Sequence, residues 1–284
     1  MSNSTSPQEF DNCISSVVSR YIFLSWFIMY LLLLPVFLFV LYIGFTKWTT
    51  SQSPASGGLS HSDVVTLNMV AMEMISVAGS CVACYGFVTL RKYATSFGGD
   101  TIVSTMTGQM LFHSLTCVER YLAVVHPVIY LRLRNGGGVT IRNFCIIFVW
   151  AFSVTYTLLY RVIEIDLFYV LSGLLLHFAL LPLVAYCSVY VLCVLIRPKP
   201  GEQGGRKKQM DHSKRSTVYT MVAILGILLL RLITNLTYNS LSLNSELIFD
   251  RCVLSMSSMW ATLPSSLVLP LLFLYRAGKL TGCK

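Results

Sequence analysis

Cys117-Val118-Glu119-Arg120-Tyr121-Leu122-Ala123-Val124-Val125-His126-Pro127 closes a run, Thr101 to Val118, that contains no charged residue. A charged pair at the end of such a run sits where a membrane helix leaves the lipid. An arginine at that depth is too costly to leave unpaired, and Glu119 is its nearest neutraliser in the sequence. Pro127 then limits how far the helix can continue unchanged.

Working outward, the same pattern recurs along the whole chain of 284 residues. It is 55% hydrophobic and only 12% charged, with a mean hydropathy of +0.69. A soluble domain carries roughly 25% charged residues, so this composition belongs to the membrane class. Residues 1–20 form a polar tail with an acceptor pattern for glycosylation at Asn3-Ser4-Thr5. Tyr21 to Phe45 is uncharged and long enough to span a bilayer, with Pro35 expected to kink it. The first apolar run is too long for a signal-peptide core, so it is read as a retained helix. Lys47 to Ser62 reads as a connector. The second span runs from about Val64 to Leu90 with Glu73 as its only charge, and Arg91 to Asp100 reads as the next loop.

The third span, about Thr101 to Val125, ends in the opening motif. Val128 to Arg142 is a basic loop broken by Gly136-Gly137-Gly138. Asn143 to Ile196 is charged only at Arg161, Glu164 and Asp166, which divide it into a fourth span ending near Tyr160 and a fifth from about Leu167. Arg197 to Ser216 is a polar loop. Thr217 to about Tyr238 is the sixth span, with Arg231 inside it. Asn239 to Arg251 is polar, Cys252 to Tyr275 is the seventh span, and residues 276–284 are a short tail.

The expected architecture is therefore all-α membrane, a bundle of seven transmembrane helices over residues 21–275. Seven spans put the two ends on opposite sides. Arg20, Arg91, Lys92, Arg161 and Arg251 fall on the N-terminal side and Arg231 within the membrane; the remaining 15 of 21 Lys+Arg share the side of the C-terminus. The positive-inside rule then places the N-terminus outside, where Asn3 could be glycosylated. A second acceptor pattern, Asn235-Leu236-Thr237, lies too close to the membrane to be modified. The net charge of +9 comes from short loops between apolar runs and forms no single patch, so nucleic acid is not an expected partner. The cluster Arg206-Lys207-Lys208 with Lys214-Arg215 suits anionic membrane lipid.

With the spans in place, the Glu-Arg-Tyr triplet resembles the motif that closes the third helix of rhodopsin-like G-protein-coupled receptors. Trp150 is similar to that family's fourth-helix tryptophan, and Pro182 with Tyr190 to its fifth-helix proline and tyrosine. Leu67-Asn68-Met69-Val70-Ala71-Met72-Glu73 resembles the second-helix Asn-Leu-Ala-x-Ala-Asp pattern with Glu for Asp. Leu269-Pro270-Leu271-Leu272-Phe273 resembles the seventh-helix Asn-Pro-x-x-Tyr pattern with Leu and Phe substituted. The resemblance implies a receptor at the plasma membrane, acting on a heterotrimeric G protein through Glu119, Arg120 and Tyr121, with Tyr190 and Pro270 taking part in the switch.

The departures are specific. The first span lacks the family's asparagine, and the sixth lacks its tryptophan and proline. No cysteine stands near the start of the third span or between the fourth and fifth, so the family's usual disulfide is absent. Leu269 and Gln109 alter the family's sodium pocket. A tail disulfide between Cys13 and Cys252 is similar to that of chemokine and nucleotide receptors. The tail from Cys13 to Tyr21 can reach roughly 26 Å, enough to join neighbouring helices. The alternative is two free thiols.

Several residues admit two readings. Glu73 is either an ion- or proton-linked switch held by Gln109 and Ser265, or a protonated acid hydrogen-bonded in a polar core. Arg231, about 26 Å up its helix from Lys214, either meets an anionic group on a ligand or snorkels to the outer headgroups and pairs with Glu164, Asp166 or Asp250. His177, Tyr156, Tyr160, Met256, Met259 and Trp260 either line the same cavity or pack helices. His113 and His126 read as packing residues. Cys81 and Cys84 have the spacing of half a zinc site with no second pair, so no metal is expected. No phosphate loop, metalloprotease motif or nucleophile elbow is present, so neither catalysis nor a cofactor is expected. A transporter or channel, and a receptor-like scaffold that does not signal, are the other classes open to this sequence.

Overall fold

The computed structural model describes residues 16–51, 61–135, 138–163, 166–196, 207–244, 253 and 256–276, and every regular element among them is helical. In chain order they are α1 (Val17–Leu31), α2 (Leu34–Ser51), α3 (His61–Thr89), α4 (Lys92–Val125), α5 (Pro127–Asn135), α6 (Gly138–Ile163), α7 (Asp166–Ile196) and α8 (Lys207–Asn244). A 3₁₀ turn, Met259–Thr262, leads into α9 (Leu263–Arg276).

The chain is a membrane protein by the length and composition of these helices. Five stretches are long and apolar enough to cross a bilayer: Val17–Thr49, His61–Thr89, Val139–Leu159, Leu171–Val194 and Met256–Tyr275. Their outward faces carry bare apolar side chains such as Phe144, Ile147, Leu158, Leu175 and Phe178. A protein in water rarely exposes so much contiguous apolar surface, whereas lipid favours it.

Local sequence explains the element ends. α1 and α2 form one rod interrupted at Leu32–Leu33, just ahead of Pro35. Proline cannot donate to the residue four back, yet it is harmless in a helix's first turn, so the ladder breaks before it and restarts around it. Leu33 N–H instead reaches Tyr30 O at 3.1 Å. At the polar connectors the helices run further than the charge pattern suggests, and the stretch read as a basic loop from Val128 holds α5 and the start of α6. α4 begins at Lys92 and not near Thr101; α8 begins at Lys207 and extends to Asn244. Charge marks where a helix leaves the apolar layer, not where its hydrogen-bond ladder stops.

Only Leu90 and Arg91 separate α3 from α4. Arg91 N–H reaches back to Gly86 O at 2.9 Å, and Leu90 adopts φ 56. This is a helix C-terminus closed by a left-handed residue, the place glycine normally takes. A leucine there carries a cost of about 1–2 kcal/mol, and its side chain is 55% exposed. Leu90→Gly is therefore expected to raise the unfolding temperature of the purified protein by a few degrees. A lower unfolding temperature would mean that contacts of the leucine outweigh the backbone strain.

α4 is the central helix, packed against α3, α6, α7 and α8. It buries a polar stripe that includes Thr105, Thr107, Gln109, His113 and Ser114. One apolar core joins α1, α2 and α3 through Phe23, Trp26, Tyr30, Phe37 and Phe87. A second joins α3, α4, α7 and α8 through Met69, Met72, Phe112, Val184 and Met221. The polar stripe of α4 meets further buried polar groups, Arg231 of α8 and Ser265 of α9 among them, and the functional geometry develops there.

Candidate functional site

A cavity of about 210 Å³ opens between α4, α7, α8 and the Met259–Thr262 turn. Its walls include Ile102, Met106, Thr107 and Met110 of α4, Tyr156 of α6, and Gly173 and His177 of α7. Arg231, Thr234 and Asn235 of α8 and Ser258, Met259 and Thr262 complete it. Four candidates from the sequence, Arg231, His177, Tyr156 and Met259, thus share one cavity. Trp260 does not line it and is 39% exposed, and Met256 packs instead against the α1–α2–α3 core. Trp260 lies within the 3₁₀ turn, where the helical period changes. The side chain of Tyr160 lies outside the described residues.

Two hydrogen-bonded pairs fix the wall. Tyr156 Oη and Ser172 Oγ are 3.0 Å apart and tie α6 to α7. His177 Nδ1 lies 2.8 Å from Gly173 O. A carbonyl only accepts, so Nδ1 carries the proton and Nε2 accepts from Asn235 Nδ2 at 3.2 Å. Asn235 looks from sequence like a glycosylation acceptor; its place is in the cavity wall. Its position four residues after Arg231, on the same helical face, was the signal that could have revealed this.

Arg231 forms the polar centre of the cavity. It is 6% exposed. Its Nη1 donates to Met106 O at 3.1 Å, and its Nη2 to Gln109 Oε1 at 2.8 Å and to Ser265 Oγ at 2.9 Å. Ser265 Oγ is also 3.0 Å from His113 Nε2, so His113 belongs to this network. Hydrogen bonds to a charged group contribute roughly 1.5–3 kcal/mol each. Together they offset the desolvation of a buried guanidinium and hold α4, α8 and α9 to one another. Snorkelling of Arg231 to the headgroups is excluded by this burial. Glu164 and Asp250 lie outside the described residues, as does the side chain of Asp166.

Glu73 has a different partner from the one expected. Gln109 and Ser265 hold Arg231, while Glu73 Oε2 accepts from Tyr30 Oη at 2.5 Å. α3 turns Glu73 toward α1, and α4 turns Gln109 toward α8, so the two polar groups face different helices. Glu73 Oε1 is buried without a hydrogen-bond partner. Tyr30 was invisible as a partner because it lies 43 residues away in an apolar run.

The far end of α4 carries the Glu-Arg-Tyr triplet. Arg120 Nη2 donates to Ser62 Oγ on α3, and Tyr130 Oη of α5 donates to Glu119 Oε1 at 3.5 Å. Glu119 is thus not the contact that restrains Arg120. Adjacent residues on a helix do not face each other, so the two side chains reach different elements. Tyr121 packs against Tyr186 and Tyr190 of α7 with ring centroids 5.9 and 5.8 Å apart, and against exposed His126 at 5.7 Å. Tyr190 therefore meets Tyr121, not Arg120. Nearby, Trp150 Nε1 donates to Asn68 Oδ1 at 3.3 Å, joining α6 to α3. Pro270 is buried within α9.

Cys81 and Cys84 are free thiols, and among the described residues no His, Cys, Asp and Glu side chains gather in a way that could hold a metal. Asn3, Cys13, Cys252 and Arg206 lie outside the described residues, as do the side chains of Lys207, Lys208, Lys214 and Arg215. No protein-family model and no curated protein matches this chain.

Proposed function

We propose that the chain is a rhodopsin-like, seven-span receptor that couples a small ligand in the α4–α7–α8 cavity to a cytoplasmic heterotrimeric G protein. The seven spans would be the five apolar stretches together with α4 and α8, whose polar flanks extend beyond the membrane. The excess of Lys and Arg on the side of the C-terminus supports an outside N-terminus and a plasma-membrane receptor.

The observation that carries this reading is that one helix serves both ends. α4 lines the cavity as far as Met110 and bears Arg120 ten residues later, about 15 Å further along. In the resting arrangement Ser62 holds Arg120 against α3. A ligand that shifts or rotates α4 would move that arginine toward the cytoplasm, where a guanidinium can meet backbone carbonyls of the G protein. The missing sixth-span tryptophan and proline mean that the shift is carried by other residues, with Arg231 the natural one.

The test is nucleotide exchange on a panel of G proteins co-expressed with the chain, at matched surface levels. Exchange above the background of the Arg120→Ala variant on at least one G protein supports the reading. Ion currents or substrate uptake without exchange would point to a transporter or channel. Neither response would point to a scaffold.

A related expectation concerns Ser62. Removing the hydroxyl frees Arg120 from a charge-assisted hydrogen bond worth roughly 1.5–3 kcal/mol. Ser62→Ala should therefore raise basal exchange about tenfold, since 1.4 kcal/mol corresponds to that factor. Unchanged basal exchange at equal surface level would show that Ser62 does not restrain the switch.

A further inference from the structure

We propose that the cavity takes a small organic monocarboxylate, whose oxygens take over hydrogen bonds that the Arg231 guanidinium now gives to Gln109 and Ser265. The purpose of the site rests on the receptor reading above; its chemistry does not. Among the described residues that line the cavity, Arg231 alone carries a permanent charge and none is Asp or Glu. Each acceptor that the guanidinium reaches is neutral: one carbonyl, one amide and one hydroxyl. Its Nε–H is buried with no acceptor. Glu73, a buried acid, gives its hydrogen-bonding oxygen to Tyr30 and reaches Arg231 only through space, with no hydrogen bond between them.

A guanidinium offers five donors in a planar fork that matches a carboxylate bidentately, through Nε and one Nη. A carboxylate would satisfy the orphaned Nε–H and neutralise the charge together. An amide or alcohol could not do both. The volume of about 210 Å³ is below the roughly 300–1,000 Å³ of drug-sized sites, so the acid is small. Ile102, Val103, Met106, Met110, Leu174 and Leu176 supply an apolar wall for a short hydrocarbon body.

The exchange of partners also provides the coupling. Gln109 stands on α4 and Ser265 on α9, and Ser265 is shared with His113. A ligand that draws the guanidinium away loosens α8 from both helices at once. α4, which continues to Arg120, is then free to move.

The experiment uses the full chain in lipid nanodiscs at fixed pH, with thermal unfolding as the readout and sodium chloride holding ionic strength constant. Acetate, butyrate, hexanoate and benzoate are compared with the matching amides. At least one acid is expected to raise the unfolding temperature saturably by a few degrees, and its amide to have no effect. Gln109→Glu, which supplies a carboxylate to Arg231 from within, is expected to abolish that response without lowering the unfolding temperature of the unliganded protein. Asn235→Asp, one turn along α8 from Arg231, adds an acid to the cavity wall and should weaken the same carboxylate about tenfold or more.

A flat acid series overturns the proposal, as does an amide equal to its acid, or full carboxylate affinity in either variant. A flat series combined with Arg120-dependent nucleotide exchange overturns only the ligand class and leaves the receptor reading standing. A carboxylate response without exchange on any G protein does the reverse.

Discussion

Arg120→Ala is expected, if the proposed receptor reading holds, to reduce nucleotide exchange on the G protein to the level of cells lacking the protein, while surface expression stays at the parental level. The two halves of this expectation have separate physical grounds. Under the receptor reading, signalling would be lost because the guanidinium is placed to leave α3 and enter the partner, and alanine has nothing to offer in its place. Folding would survive because the structural cost is small. Arg120 gives one hydrogen bond to Ser62, and its Nε–H is buried without an acceptor. Truncation removes a favourable contact of roughly 1.5–3 kcal/mol together with an unsatisfied donor, and the two partly cancel. Arg120→Lys keeps the charge but not the planar fork, so a partial response is expected from it. Exchange by Arg120→Ala equal to the parent, at matched surface level, would sink the G-protein role of this residue.

The largest effect on stability is expected from Gly98→Leu, with the neighbouring Gly99→Ala as its control. A Cβ at Gly98 would stand 2.4 Å from Ala83 N and 2.6 Å from Gly79 O, both backbone atoms of α3. On the opposite side of the same seam, a Cβ at Gly86 would stand 2.4 Å from Thr95 N. No rotamer relieves a clash with backbone, so the helices would have to separate. Small residues let membrane helices approach this closely, and van der Waals contact between backbones is then the main attraction. Overpacking costs about 1–3 kcal/mol for a few extra methylenes; a leucine wedged between two backbones lies at or beyond the top of that range. The expected result for Gly98→Leu is loss of the monodisperse folded species in detergent. Gly99 has open space at its Cβ position, so Gly99→Ala should be neutral or slightly stabilising through helix propensity. Parallel losses in both variants would argue against the α3–α4 seam as the cause. The seam also positions α3, which carries Glu73 and the Ser62 hydroxyl that accepts from Arg120.

Much of the cavity was legible in the sequence because helical spacing is regular. Arg231, His177, Tyr156 and Met259 could be named as candidates for one space from their places along the spans, with helix packing or snorkelling as the other reading. The same reading failed at Met256 and Trp260, which do not line the cavity. It failed in another way at Glu119 and Arg120. Sequence adjacency suggested a pair, but consecutive residues point to different neighbours on a helix, and the partners Ser62 and Tyr130 come from other elements. Tyr30 and Ser62 could not be found at all, since nothing in an apolar run or at a helix start marks which distant residue will face it.

The sequence alone determined that this is a helical membrane protein. Uncharged runs of bilayer length leave the backbone no other way to satisfy its polar groups in lipid. It also determined where Pro35 breaks the first rod, because a missing N–H is a local property. Only the tertiary structure decided how the buried polar groups are shared. Gln109 and Ser265 could have served Glu73 or Arg231, and the sequence favours neither. The rotation of each helix about its axis makes that choice, and close packing between helices sets the rotation. On α3 and α4 it follows from glycines that let two backbones touch.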